Sequence, residues 1–361
     1  MASARKTVKL PGPDFLRQRV ACAALASRPL TLTQLRPDDA EPGLLDHEVS
    51  FLRLVDKLSS GSRIEINETG TEVHVRPGWL AGGTVKHDCG RSRGIAYFIE
   101  GILPLCLFAK KPVKATLTGV TDTTLDISID HLYAGLKPLL RVFGVDTTGF
   151  SIFIKRRGLQ PRGGGEVTFT CPNIRELRSI NFCEEGFVKK VRGVAYSAKV
   201  SPQVANRMVT AARALFMKLL PDVRIATDSR RGAESGNSPG YGITLVASTT
   251  AGVTKCVEVT GVQGSLPEDL GEKASELLCE EIAAGGCVDA SMQPLLPLLM
   301  VLTSEDVSKA KTGPLTPYTI AALRHIRDFF GTTFKVVEGE GGTITLSCLG
   351  MGYKNFSMKV T

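Results

Sequence analysis

Residues 155–167 read Lys-Arg-Arg-Gly-Leu-Gln-Pro-Arg-Gly-Gly-Gly-Glu-Val, a grouping that suits an anion. Gly163, Gly164 and Gly165 carry no Cβ, so their backbone N–H groups can approach a ligand closely and adopt positive φ. Lys155, Arg156, Arg157 and Arg162 supply positive charge beside those donors. The pairing of a glycine turn with four cations points to a phosphate group. The alternative is a plain hairpin with a solvated basic rim. Other chemistry is thinly represented. His47, His74, His87 and His131 stand isolated and read as packing or surface residues. No metal-ligand constellation stands out, no Ser-His-Asp order can be argued, and the Met and Phe stripes read as core. The expectation is therefore of no metal and no cofactor.

Charge supports a polyanionic partner. The 361 residues carry a formal net charge of +8. Residues 151–200 hold ten Lys/Arg against four Glu, which is most of the excess. Such concentration is the electrostatic footprint of nucleic-acid binding, although an anionic membrane or an acidic protein matches the same sign. The nine cysteines form no C-x-x-C pair, which disfavours a zinc ribbon or a redox motif and suggests buried free thiols inside the cell. Residues 1–10 offer no apolar targeting segment. The apolar run Leu295 to Leu302 contains Pro297 and is too short to cross a bilayer, so no membrane role is expected.

The elements that must position these residues follow from periodicity. Helices are expected at 14–27, 45–58, 93–108, 128–143, 290–302 and 318–330. Paired strands are expected at 62–67 and 71–76, at 150–157 and 166–171, and at 333–338 and 343–348. The pattern predicts an α/β (α+β) fold: three repeated α-β-α-β-β-like units forming a large domain, residues 1–185 and 286–361, with a small inserted α/β domain at 186–285. In the insert, Ser201-Pro202 opens a helix as N-cap and first residue, with Val204, Met208, Ala211, Leu215 and Leu219 as its apolar stripe. Residues 230–242 read as a mobile loop. Residues 267–284 read as an acidic amphipathic helix whose Glu272, Glu276 and Glu280 are candidates for partner binding.

The segments Arg36…Pro42-Gly43-Leu44, Arg76-Pro77-Gly78, Gly163-Gly164-Gly165-Glu166 and Gly313-Pro314-Leu315-Thr316-Pro317 follow one another in this order. In that order they resemble the RNA 3′-terminal phosphate cyclase superfamily, over nearly the whole chain. The tract Arg192-Gly193-Val194-Ala195-Tyr196, with Ser201-Pro202 and Asn206-Arg207, is closer to the cyclase-like branch of nucleolar proteins. Active members of the superfamily activate an RNA 3′-phosphate with ATP through an adenylated histidine. The matching position here is Tyr318, and a phenol with reference pKa near 10 is a poor substitute for an imidazole near 6.5. The N-terminal glycine-rich element is replaced by Pro11-Gly12-Pro13-Asp14-Phe15 ahead of Leu16-Arg17, and Met292 stands where an acidic residue is expected before Gln293. Three departures together argue against cyclisation.

What the resemblance implies is a small-subunit processome factor in the nucleus and nucleolus. It would act in early pre-rRNA processing and bind pre-ribosomal RNA, a ribosome-assembly GTPase and a small nucleolar ribonucleoprotein. Arg17 and Arg36 would be what remains of the anion-binding side of the old site; the alternative for each is a buried ion pair. An alternative of another class is a metal-independent endoribonuclease. In that reading Arg324, His325 and Arg327 on one helix would activate a ribose 2′-hydroxyl and stabilise a phosphorane. The bland reading of Arg324 and Arg327 is a solvated helix face. A cyclase with a displaced nucleophile is the third and weakest alternative.

Overall fold

The computed structural model describes residues 6–358; residues 1–5 and residues 359–361 lie outside that range. The first part of the chain runs β1 (Val8–Pro11), α1 (Leu16–Ala26), β2 (Leu30–Thr33), α2 (Asp46–Leu58), β3 (Ser59–Ser60), β4 (Arg63–Ile66), β5 (Val73–Arg76) and β6 (Trp79–Leu80). The second runs β7 (Gly82–Asp88), α3 (Ile95–Leu107), β8 (Lys111–Gly119), α4 (Ile129–Val142), β9 (Ser151–Arg156) and β10 (Gly165–Cys171). After β11 (Asn181–Phe182) come β12 (Val188–Ala198), α5 (Pro202–Phe216), β13 (Val223–Arg230), β14 (Gly240–Thr249), β15 (Thr254–Thr260) and α6 (Pro267–Ala283). The chain finishes with α7 (Leu295–Val301), β16 (Val307–Thr312), α8 (Pro317–Phe330), β17 (Lys335–Glu338) and β18 (Ile344–Leu349).

Three four-stranded sheets share one arrangement: β1-β2-β5-β4, β7-β8-β10-β9 and β11-β16-β18-β17. In each, the first pair is parallel and the other two are antiparallel. Each sheet thus has a leading parallel strand that the sequence pattern did not disclose, and in the third sheet it is only the two residues of β11. Alternation places the strands. In β8, Val113, Ala115 and Leu117 face the core, and in β10 Val167, Phe169 and Cys171 do so across the ladder.

The helices divide into two kinds. Ten of the eleven residues of α1 are buried, as are nearly all of α3 and every residue of α7, so these three are enclosed. Helix α7 is apolar all round and has no face to give to water, while α1 and α3 pair charged side chains with each other, Arg17 with Glu100. The amphipathic α2, α4 and α8 cover the outside. Helix α7 is shorter than the expected 290–302, because Asp289 to Pro294 form a turn tied by the Asp289 carboxylate to the N–H groups of Ser291 and Met292. Helix α8 follows its local signals. Thr316 caps it by accepting the Thr319 N–H at 3.1 Å, Pro317 opens it, and Gly331 ends it at φ 75°.

Strands β12 to β15 form a separate sheet, β13-β12-β14-β15, packed against α5 and α6 with its own apolar core. In α5 the buried stripe is Ala205, Met208, Ala212 and Phe216 rather than the expected one through Ala211, Leu215 and Leu219. Leu219 lies past the helix end and is 64% exposed. The 230–242 segment is not a free loop. It contains a 3₁₀ turn, Gly232–Glu234, and its backbone is bonded to residues 157 and 163 of the body.

Candidate functional site

Helices α1 and α8 meet at the position where the resemblance places a nucleophilic histidine. The first turns of both helices, the turn before α7 and the loops after β2 and β8 enclose a cleft of about 550 Å³. Tyr318, the second residue of α8, projects toward α1. Its phenolic oxygen accepts from Arg17 Nη2 at 2.7 Å and Nε at 3.2 Å. Arg17 also reaches Glu100 at 3.0 Å and donates to the Tyr97 carbonyl at 2.6 Å. Phe15 stacks on the Tyr318 ring with centroids 5.5 Å apart. Burial pushes the Tyr318 phenol up to about 12, and the adjacent Arg17 guanidinium only partly opposes it. A phenol held neutral at physiological pH is not a nucleophile toward phosphorus.

Gln293, next to Met292 in the α7 turn, locks this corner. Its Oε1 accepts from the Thr316 N–H and the Thr319 hydroxyl, both at 2.8 Å, so the side chain holds the N-terminus of α8 in place. Met292 itself packs against Gly135 of α4, where a Cβ would stand 2.8 Å from its Cγ. The position expected to be acidic has become part of the core.

Every arginine that lines the cleft is matched to a carboxylate. Arg36 forms a bidentate pair with Glu48 at 2.7 and 2.9 Å, and Arg93 pairs with Asp126. Arg17 and Arg36 therefore occupy the ion pairs that were the alternative to free anion sites. The charged lining is Arg17, Arg36 and Arg93 against Asp14, Glu48, Glu100 and Asp126, so the cleft carries no positive excess. Arg93, Tyr97, Glu100 and Asp126 were not singled out in the sequence, which holds no local mark of them. Arg36 and Phe15 sit at φ 46° and 59°, backbone values that non-glycine residues adopt rarely and that cluster at built sites.

The glycine loop differs from the expected open cradle. The Gly163 N–H is donated to the Leu159 carbonyl at 2.9 Å, Gly165 pairs with Gly119 in the β10–β8 ladder, and the Gly163 carbonyl accepts from the Asn237 N–H at 2.8 Å. Gly164, at φ 83°, lies where a Cβ would meet the Asn237 side chain at 2.7 Å. These glycines let the β9–β10 turn sit against the 235–238 segment. Arg157 is not on the rim at all. It is 1% exposed, and its guanidinium donates to Asp122 at 2.9 Å, Asp130 at 2.8 Å and Asp228 at 2.9 Å while lying over the Tyr196 ring at 4.4 Å. Burial opposes its charge, and the three carboxylates overcome that and hold its pKa well above the usual value. Lys155, Arg156 and Arg162 keep solvent access; Lys155 is bonded to Glu166 at 2.7 Å.

Arg324, His325 and Arg327 do not form a cluster. Arg324 and Arg327 are exposed, whereas His325 points inward and is 5% exposed. Its Nε2 accepts from Arg19 Nε at 3.2 Å, and its Nδ1 lies 3.1 Å from Gln18 Oε1, which makes Nδ1 the protonated nitrogen. Burial first and Arg19 second lower its pKa to about 4. With both nitrogens engaged and away from the cleft, it is a structural residue, which removes the general base from the nuclease reading. Glu272, Glu276 and Glu280 lie exposed along α6, whose Leu270, Ala274 and Leu278 face the core. Among the described residues, His131, Cys256 and Asp289 bring ligand atoms within 4.8 Å of one another, a convergence invisible in a sequence where they are far apart. No described helix is long and apolar enough to cross a membrane.

Comparison with known proteins fits this frame. A family model described as RNA 3'-terminal phosphate cyclase matches residues 8–336. The chain is 47% identical to the mouse RNA 3'-terminal phosphate cyclase-like protein, covering 99% of each. It is 44% identical to the rRNA processing protein rcl1 of Schizosaccharomyces pombe, covering 98% of each. It is 42% identical to a probable RNA 3'-terminal phosphate cyclase-like protein of Drosophila melanogaster, covering 97% of this chain and 96% of that one. With the match running through all three sheets and the insert, the chain belongs to the RNA 3'-terminal phosphate cyclase family.

Proposed function

We propose that the protein is a non-catalytic rRNA-processing factor: a cyclase-family fold that has lost nucleotidyl chemistry and serves early processing of small-subunit pre-rRNA. The observation that carries this reading is Tyr318, a buried phenol clamped by Arg17 at the place where the family's resemblance calls for a nucleophilic histidine. The similarity to a relative named as an rRNA processing protein supplies the process. The protein would work in the nucleolus as part of the small-subunit processome. The partners that the resemblance implies are pre-ribosomal RNA, a ribosome-assembly GTPase and a small nucleolar ribonucleoprotein.

Because the cleft is charge-matched, RNA contact is assigned to the solvent-accessible cations Lys155, Arg156 and Arg162 at the β9–β10 turn, where Glu166 is the one carboxylate paired with Lys155 and Arg156. The GTPase is assigned to the acidic face of α6. The test is depletion of the protein from the cells that make it, followed by sizing of rRNA precursors. Small-subunit precursors accumulate, and a re-expressed Tyr318→Phe chain clears them as the wild type does. Unaltered precursors on depletion, or a Tyr318→Phe chain that cannot restore processing despite normal levels, would overturn the reading.

A further inference from the structure

His131 is 3% exposed, yet neither ring nitrogen has a hydrogen-bond partner, and Asp289 Oδ2, 1% exposed, has none either. Buried polar atoms left unpaired cost stability, and two such groups side by side call for a physical account. The His131 Nε2 lies 3.7 Å from Asp289 Oδ1, too long for a hydrogen bond. The buried Cys256 Sγ completes a triad whose ligand atoms all fall within 4.8 Å of one another. In tetrahedral zinc coordination, neighbouring N, O and S ligands stand about 3.3–3.6 Å apart, so small side-chain rotations would close this triad around an ion.

We propose that His131 Nε2, Cys256 Sγ and an Asp289 carboxylate oxygen form a binding site for a zinc-type divalent cation that joins the inserted sheet to the body. The surroundings are built for it. His131 stands in the first turn of α4, where its N–H is capped by Ser128 Oγ. Asp289 Oδ1 is held by the N–H groups of Ser291 and Met292, which leaves Oδ2 free. The Glu258 carboxylate sits 4.0 Å from His131 Nδ1 and is itself fixed by the Ser128 N–H. A small approach of this carboxylate would let it accept a hydrogen bond from Nδ1–H once Nε2 binds metal, the carboxylate–histidine–metal arrangement that orients ligating imidazoles.

Lys255 pins the loop that delivers Asp289, donating to the Gly285 and Val288 carbonyls at 2.6 and 3.0 Å, with Glu281 at 3.3 Å balancing its charge. On binding, the Cys256 thiol loses its proton to solvent. The thiolate and carboxylate then neutralise the dication, and water takes the fourth position from an adjoining groove lined by Glu258, Glu280, Glu281 and Ser291. The ligands come from α4, from β15 and from the turn before α7, so the ion would tie three separate parts of the fold.

The test uses the full chain, stripped with chelator, exposed to zinc ion and desalted. Metal analysis should find one zinc per wild-type chain, with retention cut at least about tenfold in Cys256→Ser and His131→Ala. Cobalt loading should give a thiolate-to-cobalt charge-transfer band in the wild type that is absent in Cys256→Ser. Zinc should raise the wild-type melting temperature and leave that of Cys256→Ser unmoved. Circular dichroism checks that the variants fold; should they not, the wild-type cobalt spectrum alone decides. No zinc above background in the wild type, equal retention by a folded Cys256→Ser chain, or a cobalt spectrum without a thiolate band would each overturn the site.

Discussion

The chemistry of single residues turns on what each is paired with. The Tyr318 hydroxyl accepts hydrogen bonds from Arg17 and is pushed up to about 12 by burial, so it stays protonated, and a poor nucleophile, at neutral pH. Incubation with radiolabelled ATP and denaturing electrophoresis should therefore give no labelled protein; a band lost in Tyr318→Phe would contradict this. Arg157 makes a second case. Its removal leaves Asp122 and Asp130 without a cation and Asp228 with Arg230 alone, and breaking a buried pair in this way costs about 3–5 kcal/mol. Arg157→Ala should show that loss in denaturant unfolding. A loss under about 1 kcal/mol, the range of surface pairs, would mean the cage is not closed in solution.

Elements present side chains to solvent, and two of them here carry grouped charge of one sign. The β9–β10 turn exposes Lys155 and Arg162 and leaves Arg156 half-buried. If RNA phosphates lie there, Arg156→Ala with Arg162→Ala should weaken binding to all RNA sequences and flatten the plot of log affinity against log salt by roughly 0.7 per lost contact. An unchanged slope would reduce the turn to a solvated hairpin. On α6, Glu272, Glu276 and Glu280 recur every four residues and share one exposed stripe. Reversing all three to Lys should reduce capture of the ribosome-assembly GTPase in a pull-down, while circular dichroism stays that of the wild type. Full capture by the reversed chain would move the interface to the large body.

At the scale of the whole molecule, stability sums such pairings and so depends on pH. His325 is pressed to about 4 by burial and Arg19, and His87 to about 4 by burial and Lys57. Both are neutral in the folded chain and ordinary, near 6.5, in the unfolded one. Between about pH 4 and 6.5 the unfolded chain binds the extra protons, so their contribution is full above that window and is lost as pH falls through it. Burial raises Glu100, Asp122, Glu258 and Glu281, which works in the opposite direction, so the measure is a difference: any fall of the urea midpoint between pH 6.5 and 4.5 should be shallower in His325→Asn than in the wild type. An equal fall in the variant would take His325 out of the account.

How much of this was legible beforehand depends on the range of the interaction. The α8 boundaries, the strand alternation of β8 and β10 and the amphipathic α6 were readable, because caps, turns and periodicity are set by neighbours in sequence. Where neighbours did not decide, the reading went astray: α7 began late because Asp289 captured the backbone ahead of it, and the α5 stripe shifted one residue to meet the sheet. The sites themselves belonged to tertiary structure. Lys155, Arg156, Arg157 and Arg162 look alike in sequence, yet only folding decides that Arg157 goes inside, since its three carboxylates come from the loop after β8, from α4 and from β13. The same holds for His325, fixed by α1 across some 300 residues, and for His131, Cys256 and Asp289. Electrostatic and ligand geometry is a property of distances in space, and a sequence states residue types and neighbours but not which far segments will share one dry, crowded volume.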